Sequence, residues 1–292
     1  MTSLSKALCI ALATMLMQSA AAHAGWRLTF SDEFDGQTLD PTKWKTSDLW
    51  GNQTLSGNGE KQCYVPQAVT QADGLLVLTA SRSVTPASAC KGAPSGLPFT
   101  SGMVTTAGCR AYEKSEACKQ LKPFSQAYGY FEIRARLPKG KGLWPAFWLV
   151  PFDGSWPPEI DIMEMLGHTP SIVYHTYHYF DAAGVRQKAD TSNETKDFSA
   201  SFSTFGIDWR PGLLIWYVDG KESFRFSGPG ITSKDMYLLL NLAVGGYWPG
   251  DPDQATPFPS TMAIDYIRVY ERISDGSPDE LPPSPSGTGS PK

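Results

Sequence analysis

The residues most capable of chemistry lie in one short run, Glu159-Ile160-Asp161-Ile162-Met163-Glu164. Three carboxylates alternate there with apolar side chains. On a β-strand the side chains alternate faces with period two, so Glu159 and Asp161 share one face. Strict alternation sends Glu164 to the opposite face with Ile160 and Ile162. One β-bulge, most simply at Met163, returns Glu164 to the side of Glu159 and Asp161. Carboxylates held that close repel, which drives their pKa values apart, so that one stays protonated while another is ionised. The chemistry served by such a split is acid and nucleophile work at a glycosidic bond. Two plainer readings of the same six residues are a half-solvated strand and part of a calcium site. The flanks weigh against them: Leu143-Trp144-Pro145-Ala146-Phe147-Trp148 and Trp156-Pro157-Pro158 bring aromatic faces, on which sugar C–H faces stack, close to the acids.

Elements able to position these groups read as strands. Aromatic and β-branched runs between Gly, Pro, Asn and Asp clusters predict strands at Leu75–Ala80, Gly129–Leu137, Ala146–Val150, Glu159–Met165 and Ile172–Phe180. Others fall at Thr204–Trp209, Leu213–Val218, Tyr237–Ala243 and Met262–Tyr270. Arg210-Pro211-Gly212 and Asp219-Gly220 supply turns between some of them. With no long amphipathic helix, the pattern predicts an all-β, two-sheet sandwich. Residues 81–127, rich in Ser, Gly, Ala, Pro and Cys, read as loop at the cleft rim, with one strand near Gly102–Thr106.

The chain has 292 residues, enough for one large β domain. Residues 1–24 read as a secretory signal: Lys6, an apolar segment from Ala7 to Met17, and an Ala22-His23-Ala24 cleavage site. Residues 25–273 form the expected domain, and the Pro/Ser/Gly-rich stretch 274–292 the expected disordered tail. No later stretch is apolar enough to span a bilayer. Net charge is −4 with no basic patch, which argues against nucleic acid as a partner. Without Cys9, four cysteines remain, Cys63, Cys90, Cys109 and Cys118, an even set suited to disulfides in an exported chain. Three connectivities are open. Cys109–Cys118 with Cys63–Cys90 is favoured, because the first closes a short local loop. The absence of a CxxC pair argues against zinc.

Taken together the motifs resemble glycoside hydrolase family 16, in its laminarinase-like branch with a bulged ExDxxE motif. The resemblance runs from Phe30-Ser31-Asp32-Glu33-Phe34-Asp35-Gly36 through Leu39-Asp40, Lys43-Trp44, Asn58-Gly59-Glu60, Gln62, Tyr64 and Gly74-Leu75. It continues through Tyr128-Gly129-Tyr130-Phe131-Glu132 and the Trp-Pro-Ala-Phe-Trp run to Asn241-Leu242-Ala243-Val244-Gly245-Gly246 and Asp265-Tyr266-Ile267-Arg268-Val269-Tyr270. One departure is Pro158, where the family usually has Gly before the first acid. The resemblance implies a concanavalin-like jelly roll with a concave substrate cleft and a retaining double displacement. Glu159 would be nucleophile, Glu164 acid and then base, and Asp161 the tuning carboxylate between them. The Thr176-Tyr177-His178 segment resembles one bearing a family histidine, which favours His178 over His175. Trp144 and Trp156 would be sugar platforms, with Trp148 core or rim. Asn58, Glu60, Arg82 and Trp248 would be substrate-binding.

The resemblance also implies a structural calcium on the convex face, held by Glu33, the Gly74 carbonyl and Asp265. No cofactor is expected for the chemistry. The expected protein is a secreted, monomeric endo-acting β-1,3-glucanase with a polysaccharide substrate, laminarin-like or mixed-linkage. Alternatives are a glycanase or transglycosylase acting on an exopolysaccharide or galactan, and, from another class, a non-catalytic glucan-binding lectin. Lectin relatives commonly lose the acids, and all three stand here.

Overall fold

A computed structural model describes residues 25–109, 113, 116–273 and 280–282. The strands are β1 (Trp26–Asp32), β2 (Gln62–Tyr64), β3 (Val69–Ala72), β4 (Leu75–Thr85), β5 (Leu97–Ser101) and β6 (Met103–Thr105). Then come β7 (Gly129–Arg136), β8 (Leu143–Pro151), β9 (Glu159–Met165), β10 (Ile172–Phe180) and β11 (Arg186–Glu194). The series ends with β12 (Ser203–Arg210), β13 (Leu213–Val218), β14 (Lys221–Ser227), β15 (Met236–Val244) and β16 (Ser260–Arg272). A ten-stranded sheet follows the order β14-β13-β12-β7-β16-β4-β5-β2, with β1 on β16 and β3 on β4. A six-stranded sheet has the order β11-β10-β9-β8-β15-β6. This is the expected jelly-roll sandwich.

The period-two pattern decides which side chains fill it. On β8, Leu143, Phe147 and Leu149 are fully buried between the sheets, while Trp144, Ala146, Trp148 and Val150 point out. On β15, Leu238, Leu240 and Leu242 join the same core, whereas Tyr237, Leu239 and Asn241 face outward. Each fully buried apolar side chain of this kind contributes roughly 1.5–3 kcal/mol through removal from water. The core therefore fixes strand register, because a one-residue slip would put the outward set inside. Between β13 and β14, Asp219 and Gly220 both take positive φ, 49° and 72°, as a tight hairpin turn requires.

Two expectations are corrected here. Residues 81–127 are not one loop: β4 continues to Thr85, β5 is a strand, and a short helix, α1, spans Glu116–Gln120. Apart from Met103, this segment supports the cleft rim from behind instead of lining it. Cys63–Cys90 and Cys109–Cys118 are the disulfides. Lys91 Nζ donates to the Trp50 carbonyl, and the Gln53 N–H donates to the Lys91 carbonyl. The stretch 274–292 is also not uniformly loose. Trp26 Nε1 donates to the Glu280 carbonyl, and Leu281 packs on the cluster of Trp26, Tyr130, Ile215 and Tyr217, an apolar seat for the one leucine in that stretch. Residues 274–279 and 283–292, and residues 1–24, lie outside the described residues. Among the described residues no helix is long and apolar enough to cross a membrane.

Candidate active site

The outer face of the six-stranded sheet is the floor of a cleft of about 750 Å³. Its lining runs from Met103 on β6 across β15, β8, β9 and β10 to Lys188 on β11. Six strands spaced about 4.8 Å apart make a floor roughly 24 Å across.

The three acids stand at its centre because β9 is bulged. Against β8, Phe147 pairs with Met163 but Trp148 pairs with Asp161, so Ile162 is passed over. Against β10, Tyr174 pairs with Glu164 and Thr176 with Asp161. The irregularity thus occupies Ile162–Met163, one residue wider than the simplest placement at Met163. Ile160, Ile162, Met163 and Met165 are all fully buried in the core, and Glu159, Asp161 and Glu164 all line the cleft.

Each glutamate is held by an indole. Trp156 Nε1 donates to Glu159 Oε2 at 2.9 Å, and Trp144 Nε1 donates to Glu164 Oε1 at 2.9 Å. Desolvation is the largest influence on all three acids and pushes every pKa up. Glu164 is raised to about 8 by burial and by the Glu159 charge, against the pull of Trp144 and Lys188. Glu159 is raised to about 7 by burial, opposed by the Trp156 bond. Asp161 is raised by burial and by both glutamate charges. His178 Nε2 lies 3.5 Å from Asp161 Oδ2 and 3.6 Å from Glu159 Oε1. Burial, then the Lys188 and Arg186 charges, lower its pKa, so it is neutral at neutral pH. Of the two histidines on β10, His178 faces the cleft and His175 is buried between the sheets.

Trp248 also lines the cleft, with its ring edge-on to Trp144 at 5.3 Å and to Tyr174 at 4.9 Å. Asn58 and Glu60 line the opposite wall. Glu60 is buried, and its oxygens accept from Asn58 Nδ2, Gln62 Nε2 and Tyr64 Oη. Burial raises its pKa against those bonds. The network continues through Asn241, which donates to Tyr64 Oη and accepts from Trp148 Nε1 at 2.8 Å. Glu60 therefore braces the wall from inside.

Arg82 is a correction: it is not among the cleft residues. Its guanidinium lies over the rings of Phe258 and Phe99, at 4.7 and 5.5 Å, and donates to the Asp253 carbonyl. Those two rings pair only in three dimensions and draw the cation away from the groove. Sequence reasoning missed Trp50, which is 45 % exposed in the cleft wall, as well as Lys188 and Asn241. A lone Trp or Lys carries no local signal. Asn241 had one, the polar residue in an otherwise apolar β15 run.

The expected calcium ligands do not make a cation site as arranged. Arg268 donates in a fork to both oxygens of Glu33, and Arg134 binds Asp265 Oδ2. Each carboxylate already has a guanidinium.

Carboxylates capped by indoles, on the floor of an open aromatic groove across a jelly roll, define a glycan-handling β-sandwich. The chain belongs to glycosyl hydrolases family 16: the sequence model of that family matches residues 66–268. It is 38 % identical over 263 residues to endo-1,3-1,4-beta-glycanase ExsH of Rhizobium meliloti, covering 85 % of this chain and 52 % of that protein. The chain thus spans about half the length of that relative. It is 33 % identical to the glucan endo-1,3-beta-glucosidase of Cryptopygus antarcticus, over 88 % of this chain and 96 % of that protein. The laminarinase catalytic domain of Thermotoga maritima superposes with a TM-score of 0.72 at 34 % identity, covering 86 % of this chain and all of that domain.

Proposed function

We propose that the chain is an endo-acting, retaining β-glucanase that cuts internal β-1,3 bonds of laminarin-like or mixed-linkage glucan. The observation that carries this reading is the pair Glu159 and Glu164. They lie on one face of a bulged strand, each with an indole donor, and both are raised into the range where one holds a proton and one does not.

The asymmetry supports the roles. Glu164 is raised by burial and by the charge on Glu159, so it holds its proton while Glu159 is ionised, which suits the acid. Glu159 loses its proton first, and its negative oxygen is stabilised by the Trp156 N–H, which suits the nucleophile. Ionised Glu159 attacks the anomeric carbon while Glu164 gives its proton to the departing glycosidic oxygen, leaving a glycosyl ester on Glu159. Glu164, now a carboxylate, takes a proton from water. The resulting hydroxide equivalent displaces Glu159 and restores both groups. Asp161, buried beside them, has its pKa raised by burial and by both glutamate charges, which disfavours a third negative charge in the cluster. His178 lies alongside as a neutral donor.

A floor crossing all six strands accommodates several sugar rings, which favours internal cleavage. Trp144, Trp156 and Trp248 supply apolar faces for them. The names of the relatives favour β-1,3 and mixed β-1,3-1,4 linkages. We further propose export by residues 1–24 and action as a single chain. A lectin reading leaves the raised pair of acids and their indole donors without purpose.

The test is reducing-end release from laminarin, mixed-linkage glucan, agarose, carrageenan and an acidic exopolysaccharide, with Glu159→Gln alongside. Release from laminarin or mixed-linkage glucan, lost in the variant, is expected. Cleavage of agarose or carrageenan alone overturns the substrate, and undiminished activity of Glu159→Gln overturns the nucleophile.

A further inference from the structure

A bulge leaves backbone groups without ladder partners, and buried ones must find others. In β9 the two carbonyls at the bulge are those of Asp161 and Ile162, and side chains outside the strand take both. Trp216 of β13, in the other sheet, donates from Nε1 to the Asp161 carbonyl at 2.9 Å. His175 Nδ1 lies 2.7 Å from the Ile162 carbonyl. A carbonyl only accepts, so Nδ1 carries the proton. A neutral imidazole then has an acceptor at Nε2. That nitrogen lies 2.9 Å from Ser223 Oγ of β14, whose hydroxyl must donate to it. Ser223 Oγ in turn accepts from Asn193 Nδ2 of β11 at 2.9 Å. The chain of bonds is consistent in one direction only, and it fixes a single tautomer. Burial lowers the His175 pKa to about 4, which keeps the ring neutral across the working range.

We infer that His175 is a positioning residue for the acids. Its Nδ1–H holds the Ile162 carbonyl, and so holds the bulge that returns Glu164 to the face of Glu159 and Asp161. The latch crosses the sandwich, from the catalytic strand to β14 and then back to edge strand β11. His175 touches neither the cleft nor the three carboxylates. It acts only through the backbone of β9. If the bulge relaxed, regular alternation would turn Glu164 toward the core. A smaller displacement, about 1 Å, is enough to cost on the order of 100-fold in rate. The inference rests on the glycosidase reading, but its physical core, the Nδ1–H tautomer and the bulge it holds, does not.

Two variants separate positioning from packing. His175→Asn places an amide N–H where Nδ1 stands, and His175→Leu fills the space without a donor. In His175→Leu we expect kcat to fall about 10- to 100-fold with KM within about threefold, and in His175→Asn most of that loss to be recovered. Carboxyl titration by 13C NMR reads the same displacement without substrate. The Glu164 pKa is expected to move by about half a unit or more in His175→Leu and to stay near wild type in His175→Asn. Should His175→Leu lack a cooperative melt, His175→Asn and the wild-type tautomer carry the test. Two-bond 1H–15N spectra should show neutral Nδ1–H for His175 between pH 5 and 8. An Nε2–H ring or an imidazolium there overturns the inference. So does wild-type kcat in folded His175→Leu, or equal losses in the two folded variants. A wild type silent on every polymer would sink the glucanase reading instead, while the tautomer and the Glu164 titration would still judge the latch.

Discussion

Replacing Glu164 by Gln should make the protein more stable in alkali than the wild type, although the change removes a functional group. The side chain is half-buried in the cleft floor, and its pKa is raised from 4.5 to about 8 by desolvation first and the Glu159 charge second. For an acid the sign follows directly. Below pH 4.5 the folded and unfolded states both hold the proton, and the carboxyl costs nothing. Between 4.5 and about 8 the folded state holds a proton that the unfolded chain has released, so stability falls as pH rises. Above 8 the loss is complete. Each pH unit of that window is worth about 1.36 kcal/mol, but three carboxylates share the repulsion and water reaches the cleft, so the net penalty is about 2–4 kcal/mol. Gln keeps an oxygen to accept the Trp144 N–H and carries no charge. Melting at pH 5 and pH 9 reads the result. The variant and wild type should melt together at pH 5, and the variant roughly 5–10 °C higher at pH 9. A difference independent of pH, or a variant that melts lower at both, would refute the argument that buried like charge raises this group. The same variant should fail on natural polymers but retain more of the glycosylation step on glycosides with a good leaving group, which need no acid.

The remaining expectations follow from single contacts. Trp156→Phe keeps a ring at the rim but deletes the N–H donated to Glu159 Oε2, so ionised Glu159 loses a stabilising bond. The acid limb of kcat/KM should move up by roughly half to one unit, the lower end if water replaces the indole at this half-exposed site; an unmoved limb would remove Trp156 from control of Glu159. Chelation by EDTA should leave the melting curve where it is, because Glu33 and Asp265 are already neutralised by Arg268 and Arg134. A fall of several degrees, reversed by calcium, would show that the arginines give way to a cation.

How far the sequence carries depends on whether the deciding interaction is local. Glu159–Met165, Ile172–Phe180 and Leu213–Val218 were legible to the residue, because apolar alternation in the first two and an unbroken β-branched and aromatic run between turn residues in the third are local patterns. Edge strands escaped. Strand β11 reads Arg-Gln-Lys-Ala-Asp-Thr-Ser-Asn-Glu, with no apolar face, and exists because β10 offers it a ladder. Charged residues on such an edge block further pairing, and that same polarity hides the strand. Strand β14, at the edge of the other sheet, has Phe224 and Phe226 on one face, but it is half-exposed and its pairing with β13 shifts register between Trp216 and Tyr217.

The site divides along the same line. Three acids in six residues announced themselves, and so did the need for a bulge, because the spacing from Asp161 to Glu164 is odd. What holds the bulge did not. Trp216 and Ser223 lie 55 and 48 residues from their partners in the latch, on strands of the other sheet. Arg82 failed in the opposite sense. Its place in the sequence suggested the cleft, but Phe99 and Phe258 form a stacked pair at 5.1 Å that only the fold assembles, and the cation sits on it. His175 was passed over for a reason of principle. A histidine beside a catalytic strand invites a role in proton transfer, and parity assigns that place to His178. Parity also sends His175 inward, where an imidazole survives only if both nitrogens are bonded. The bulge supplies the acceptor one of them needs, so the irregularity that brings the acids together also gives the buried histidine its place.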